Sequence, residues 1–329
     1  MTRALAMISG GLDSILAAKL IKDQGIEVIG ICFKSYFFNE ENAKRMCKQI
    51  DMPLEVVDFS EEHFEMVKDP KHGRGKNMNP CIDCHAMMMR YSGELLKKFD
   101  ADFIITGEVL NQRPMSQNRQ ALNTVKKESG FSEKILRPLC ALNLEPTEME
   151  LNGLVDREKL LKISGRSRKT QMELAEKWNI VDYPSPAGGC KLTEPGYAIR
   201  LSDLLDNQET VDKDEIEVLK YGRHMRISPK NKVIVARNGE EWKEIVKFKR
   251  EDDILVTSKN STGAPVILRG EFNKEDLEIA ARICGRYCKE KDSDAVEINY
   301  EKNGEINTIT ITPFKDEELK KYMINQELI

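Results

Sequence analysis

The residues of this chain best suited to do chemistry are a glycine-rich string near its start and three cysteines far from one another in sequence. The string is Ser9-Gly10-Gly11-Leu12-Asp13-Ser14. Two adjacent glycines let a backbone turn tightly and aim its N–H groups at an anion, and a helix opening there adds partial positive charge for a phosphate. Ser9 and Ser14 supply hydroxyls, and Asp13 is placed to hold a magnesium ion or a phosphate-bound water. The string is neither Gly-x4-Gly-Lys-Ser/Thr nor Gly-x-Gly-x-x-Gly, which sets aside kinase-like and nicotinamide-binding loops. Taken alone, two adjacent glycines favour an ordinary strand-to-helix turn over a phosphate site. The cysteines are Cys81 and Cys84, in Asn79-Pro80-Cys81-Ile82-Asp83-Cys84-His85, and Cys190, behind Gly188-Gly189. One Cys-x-x-Cys is read as zinc, as a redox dithiol or as coincidence. A position at the start of a helix favours the thiolate. No second Cys-x-x-Cys is present for a four-cysteine zinc ribbon, although His85 would complete a Cys3His set. Cys32, Cys47, Cys140, Cys284 and Cys288 lie in apolar or helix-like surroundings and read as small buried hydrophobes.

The elements that must position these residues alternate along the first half. Residues 4–8, 26–31, 54–59 and 102–106 are strand-like apolar runs, separated by helical spacing over 14–23, 39–50 and 82–99. This rhythm predicts a doubly wound parallel sheet with helices on both faces, an α/β class in which ligands bind at the carboxyl ends of strands. The loops after Ile8, Phe33 and Thr106 are then the places to look. Residues 145–220 turn helical, interrupted by a loop over 184–189, and a compact α+β module of short strands and one long helix follows. The expected division is a domain over 1–206 that includes Cys190 in a helical extension, a linker over 207–221 and a final domain over 222–329.

Composition sets the bounds. The chain has 329 residues, 40% hydrophobic and 32% charged, with Lys+Arg 51 against Asp+Glu 55 and a net charge of −4. That excludes a generally basic nucleic-acid coat but leaves room for a local basic stripe. No apolar run reaches the ~18 residues of a membrane span. The opening apolar stretch ends at once in Ser9-Gly10-Gly11, so it reads as a strand rather than a signal peptide. A reducing, cytoplasmic setting is expected, in which clustered cysteines mean metal or redox chemistry rather than disulfides.

In its strand–loop–helix setting the whole six-residue string resembles the SGGxDS signature of the PP-loop ATP pyrophosphatases, whose domain has the adenine nucleotide alpha hydrolase-like fold. That resemblance implies cleavage of ATP to AMP and pyrophosphate with transfer of AMP to a carbonyl or carboxylate oxygen, which becomes a leaving group for a nitrogen or sulfur nucleophile. It places ATP and Mg2+ on Ser9, Gly10, Gly11, Asp13 and Ser14, with Asp13 as the magnesium ligand and a catalytic residue. It adds Thr106-Gly107 as a second nucleotide-contacting turn, and Glu108 stands where 2-thiouridylases often carry His. Adenine is expected near Cys32 and Phe33. Cys-x-x-Cys after Asn-Pro with a later cysteine behind Gly-Gly is similar to the active site of PP-loop tRNA thiolases. In three-cysteine members such a set binds a [4Fe-4S] cluster with one iron open to sulfide; in others, one cysteine carries a persulfide and a second resolves it. Cys81, Cys84 and Cys190 match the three-cysteine version, with zinc as the lesser alternative.

Two segments point to RNA. Residues 157–169 hold Arg157, Lys159, Lys162, Arg166, Arg168 and Lys169, either a solvated face or, at Arg166, Arg168 and Lys169, contacts to ATP phosphates or an RNA backbone. Residues 221–312 resemble the NFACT-R (DUF814) module, associated with RNA binding, through Gly222-Arg223-His224-Met225-Arg226, Val233-Ile234-Val235 and Gly263-Ala264-Pro265, the last replacing the usual Gly-Ser-His. Arg223, His224 and Arg226 are the expected RNA contacts. Together the resemblances imply an ATP-dependent tRNA sulfurtransferase forming 4-thiouridine, with 2-thiouridine or 2-thiocytidine as alternatives. Its partners would be tRNA, a sulfide or persulfide donor and a second copy of the chain, with no membrane. Rival readings are a zinc-containing PP-loop synthetase acting on a small molecule and a non-catalytic RNA-binding translation factor.

Overall fold

The computed structural model describes residues 2–185 and 189–324. Pro186, Ala187 and Gly188, in the loop expected over 184–189, lie outside the described residues. The chain divides into two compact units, Met1–Thr193 and Glu194–Ile329.

In the first unit the elements run β1 (Arg3–Met7), α1 (Leu12–Lys22), β2 (Glu27–Lys34), α2 (Glu41–Lys48), β3 (Leu54–Asp58), α3 (Ser60–Lys68), α4 (Cys81–Leu95), β4 (Phe103–Thr106), α5 (Arg119–Glu128), β5 (Ile135–Leu136), α6 (Glu148–Leu151) and α7 (Lys169–Lys177). The sheet has order β3-β2-β1-β4-β5, and every pairing is parallel. The expected doubly wound class is therefore what the chain forms. Strand alternation decides which helix covers which face. Ala4, Ala6 and Ile8 share a core with Ile15, Leu16, Ala43, Met46 and Ala175, from α1, α2 and α7. Leu5 and Ile31 join Ala86 and Met89 of α4 and Val125 of α5 on the other face. The order in which strands are added reverses at β1, which pairs with β2 on one side and β4 on the other. The crevice at the carboxyl ends of these strands is the topological switch point where such sheets take ligands.

The second unit runs α8 (Pro195–Asn207), α9 (Lys213–Val218), β6 (Arg223–Ser228), β7 (Asn231–Val235), α10 (Gly239–Ile245), β8 (Ile254–Ser258), β9 (Val266–Arg269), α11 (Lys274–Arg286), β10 (Val296–Lys302), β11 (Glu305–Ile311) and α12 (Asp316–Leu319). Its antiparallel sheet has order β11-β10-β8-β9-β7-β6. The segment expected as a linker carries α9. Its acidic sequence hides Ile216 and Val218 in the core, and buried Glu215 pairs with Lys232 and Arg269. Helix α8, expected in the first domain, also belongs here: Tyr197 Oη donates to the Ile216 carbonyl at 3.2 Å and Arg200 Nε to that of Leu219 at 2.8 Å.

Candidate nucleotide and thiol site

The glycine-rich string forms the turn from β1 into α1. Gly10 has φ +78°, the left-handed region, and a Cβ there would lie 2.6 Å from Asn42 Cβ and 2.7 Å from Ala43 N. Gly11 caps α1 with extended backbone and no side-chain cap, so the first N–H groups of the helix have no side-chain acceptor at that position. Ser9 Oγ accepts from Gly11 N at 3.3 Å, and Ser14 Oγ donates to the Gly11 carbonyl at 2.8 Å. Thr106 ends β4, and Gly107 follows in contact with the first turn of α1. A Cβ on Gly107 would sit 2.5 Å from both Ser14 N and Ser14 Cα.

Asp13 stands at the loop within a polar cluster of residues distant in sequence. Its Oδ2 accepts from Gln112 Nε2 at 2.6 Å, Gln171 Nε2 donates to Gln112 Oε1 at 2.9 Å, and Arg168 Nη2 lies 3.7 Å from Asp13 Oδ1. Asp13 Oδ1, Arg168 Nε and Gln171 Oε1 are buried with no hydrogen-bond partner. Buried orphans of opposite polarity beside an anion-binding turn fit a bound phosphate and its magnesium. Arg168 stands beside the Ser9–Ser14 turn through Asp13 rather than on a fully solvated face. Arg166 and Lys169 are exposed, the latter 3.9 Å from Glu173.

Phe33, expected near adenine, keeps its ring in the core. It is 5% exposed, its ring 5.1 Å from Phe59 and 6.3 Å from Tyr91, inside the core beneath α4. A strand-end phenylalanine points to one face or the other by register, which residue type alone does not reveal.

The thiols gather at the start of α4. Cys81 is the first residue of the helix and accepts from Asn79 Nδ2 at 3.2 Å. Cys84, one turn later, faces His63 Nε2 at 3.2 Å. Burial pushes the Cys84 thiol well above its ordinary value, and Cys190, Cys81 and Asp83 are close enough to push it further. Cys190 is brought in by its flanks: Lys191 N donates to the Phe37 carbonyl at 2.9 Å, and Asn77 Nδ2 to the Thr193 carbonyl at 2.7 Å. The three cysteines singled out by spacing are therefore neighbours, and each is half-buried. The other five are buried, with burial raising Cys32, Cys47 and Cys284 to about 12 and Cys140 to about 11. Among the described residues, no group of three or more His, Cys, Asp or Glu is drawn together tightly enough to hold a metal ion. The all-sulfur donor set itself suits iron–sulfur ligation. His85, the fourth ligand of the zinc alternative, has Nδ1 3.0 Å from Glu108 Oε1.

Glu108 links the two halves of the site. It is 4% exposed, and Arg137 Nε donates to its Oε2 at 2.8 Å. Burial alone would raise its pKa, but Arg137 and His85 hold it below the usual carboxylate range. The backbone that puts Gly107 against Ser14 thus also carries the carboxylate that fixes His85, next to Cys84. Sequence reasoning missed His63, Ser35, Gln112, Gln171 and Arg137, whose side-chain partners lie 21 to 99 residues away.

In the second unit two expected RNA contacts are engaged internally. His224 is 3% exposed, with Nε2 2.9 Å from the Tyr221 carbonyl, and burial drives its pKa well below the ordinary value. Arg226 Nε reaches both oxygens of Asp203 at 3.2 Å, and its Nη1 the Pro229 carbonyl at 3.3 Å. Neither presents a charge to a phosphate. Arg223 stacks on Tyr287, 5.1 Å from the ring centre.

Comparison with known proteins agrees with the division into units. Residues 1–148 match the family described as Thiamine biosynthesis protein (ThiI), and residues 222–323 match the NFACT protein RNA binding domain. The chain thus carries a ThiI-type PP-loop domain followed by an NFACT-type module. The tRNA-specific 2-thiouridylase MnmA of Clostridium beijerinckii is 32% identical over 126 residues, 32% of this chain and 35% of that protein. The MnmA of Geotalea uraniireducens is 30% identical over 185 residues, 47% and 48% respectively. The chain spans less than half the length of these relatives. A solved 4-thiouridine synthetase–RNA complex with bound ATP aligns over 54% of this chain and 52% of that one, at 16% identity and TM-score 0.36. No helix of the described residues is long and apolar enough to cross a membrane.

Proposed function

We propose that the chain is an ATP-dependent tRNA sulfurtransferase that adenylates a uracil carbonyl oxygen and replaces it with sulfur, forming 4-thiouridine. The observation that carries this reading is the Thr106-Gly107-Glu108 turn. It backs the phosphate loop through Gly107 and braces the thiol helix through Glu108 and His85, so an ATP-activating element and a sulfur centre share one strand edge. Activation and substitution need that proximity, because an adenylated carbonyl separated from its nucleophile is lost to water.

In this reading the first turn of α1 and Arg168 bind the triphosphate, and Asp13 holds magnesium. The uracil oxygen attacks the α-phosphorus, pyrophosphate leaves, and sulfur from the Cys81, Cys84 and Cys190 centre displaces AMP from the ring carbon. Those three thiols would hold a [4Fe-4S] cluster, which when bound supplies an open iron site for sulfide. The ThiI-type match and the MnmA relatives support tRNA thiolation, and the NFACT-type module supports a polynucleotide substrate over a free base. Two copies of the chain around one tRNA and a cytoplasmic site of action accompany this proposal.

The test is anaerobic reconstitution with iron, sulfide, ATP and unmodified tRNA, followed by mass analysis of the nucleosides. The expected product is 4-thiouridine. A 2-thio product would relocate the modified atom, and pyrophosphate release without any thionucleoside would overturn the sulfurtransferase reading.

A further inference from the structure

Cys84 does not face solvent or another thiol alone; it faces a buried imidazole whose other nitrogen is also engaged. His63, on α3, is 0% exposed, with Nδ1 2.8 Å from Ser35 Oγ and Nε2 3.2 Å from Cys84 Sγ. Its ring is stacked on Phe59 at 4.8 Å and 25° and flanked by Phe38 at 5.3 Å and Phe37 at 5.7 Å. An imidazole enclosed in this way has little freedom to turn, so its hydrogen-bond roles follow from its partners.

Ser35 decides the tautomer. It is 6% exposed, and its Oγ already accepts from Phe37 N at 3.4 Å. If His63 donated from Nδ1, Ser35 Oγ would accept twice and its buried hydroxyl proton would have no acceptor. If Ser35 donates to Nδ1, every group is satisfied and the imidazole proton sits on Nε2, aimed at Cys84. Enclosed among those rings, the imidazole acts on Cys84 through its Nε2–H dipole. An N–H donor is a weak partner for a neutral thiol and a strong one for sulfur carrying negative charge.

We propose that His63, held as the Nε2–H tautomer by Ser35, is the positioning residue for Cys84: it donates a hydrogen bond to the Cys84 sulfur when that sulfur carries negative charge. The idea deepens the sulfurtransferase reading and rests on it for its functional consequence, but the hydrogen bond itself can be observed without RNA or ATP.

Two measurements on the full chain test it. The first is 15N–1H correlation of the histidine side chains in the resting protein, with His63 assigned by its loss in His63→Gln. Protonated Nε2 is expected, with Ser35→Ala producing a mixture of tautomers; a proton on Nδ1 in the wild type would overturn the proposal. The second is the ratio of thionucleoside formed to pyrophosphate released. His63→Leu should lower it roughly tenfold, the scale of one hydrogen bond to a charged group. His63→Gln, whose amide N–H can reach the same sulfur, should restore most of the loss. A generally damaged fold would depress pyrophosphate release as well, and His63→Gln and Ser35→Ala keep the test open should the leucine variant not fold. A wild-type ratio in His63→Leu would sink the proposal while leaving tRNA thiolation intact. Absence of any thionucleoside from the wild type would instead sink the sulfurtransferase reading, with the tautomer still deciding whether the hydrogen bond exists.

Discussion

Glu108 shows what a single residue can be made to do by its surroundings. A carboxylate 4% exposed keeps its charge only because Arg137 and His85 replace the lost water. Glu108→Gln leaves Arg137 buried without a counter-ion, and chemical denaturation at neutral pH should find the variant about 3–5 kcal/mol less stable. The sign of the pH dependence follows from the depressed pKa. The stabilisation is present above the ordinary carboxylate value of 4.5 and lost as pH falls through the lower folded value, so the gap between wild type and variant should narrow with acidification. A gap unchanged down to pH 3 would refute the assignment. Asp13 is paired to Gln112 but keeps a buried orphan oxygen, which the proposed reaction assigns to magnesium. Asp13→Asn should cut tRNA-dependent pyrophosphate release by roughly a hundredfold with little change in melting temperature. The sequence revealed the spacing of Cys81, Cys84 and Cys190 because a local string accompanies each. It did not reveal His63 or Arg137, lone polar residues whose roles depend on partners 21 and 29 positions away.

At the scale of elements, β1, β2, β3 and β4 were legible as short apolar runs, and α1 and α4 as periodic stretches between them. Helix α3 was not, because only His63, Phe64 and Val67 of its nine residues are buried and its exposed face is highly charged. The basic strand β6 misled for the opposite reason. Arg226 looks like surface charge in sequence, and only the fold brings Asp203 of α8 against it. Arg226→Gln should therefore lower the melting temperature of the second unit, at about 1–3 kcal/mol for an ion pair broken in a half-buried setting, and leave tRNA affinity within twofold. A tenfold loss of affinity with stability intact would return Arg226 to the RNA interface. Gly107 is the sharpest test of how β4 meets α1. A methyl group there must displace Ser14 backbone 2.5 Å away, so Gly107→Ala should raise KM for ATP at least tenfold and cost about 1–3 kcal/mol of stability. Unchanged ATP binding would mean that this contact does not shape the phosphate loop.

For the molecule as a whole, a net charge of −4 makes any attraction for RNA a local property. Exposed Lys162 and Arg166 remain available for it, whereas Arg157 is tied to Glu150 and to the Ala141 and Leu144 carbonyls. With about two to four phosphate contacts, affinity for tRNA should fall roughly ten- to hundredfold between 50 and 200 mM salt, and Lys162→Glu with Arg166→Glu should flatten that slope. The central claim, however, concerns a bond: a uracil oxygen attacks ATP and leaves on AMP. It is tested most directly by supplying tRNA with 18O in the 4-carbonyl of its uracils and weighing the AMP formed in the reaction. The account predicts AMP heavier by one 18O, in amounts matching the thionucleoside. AMP that stays unlabelled while thionucleoside accumulates on the same tRNA would contradict it.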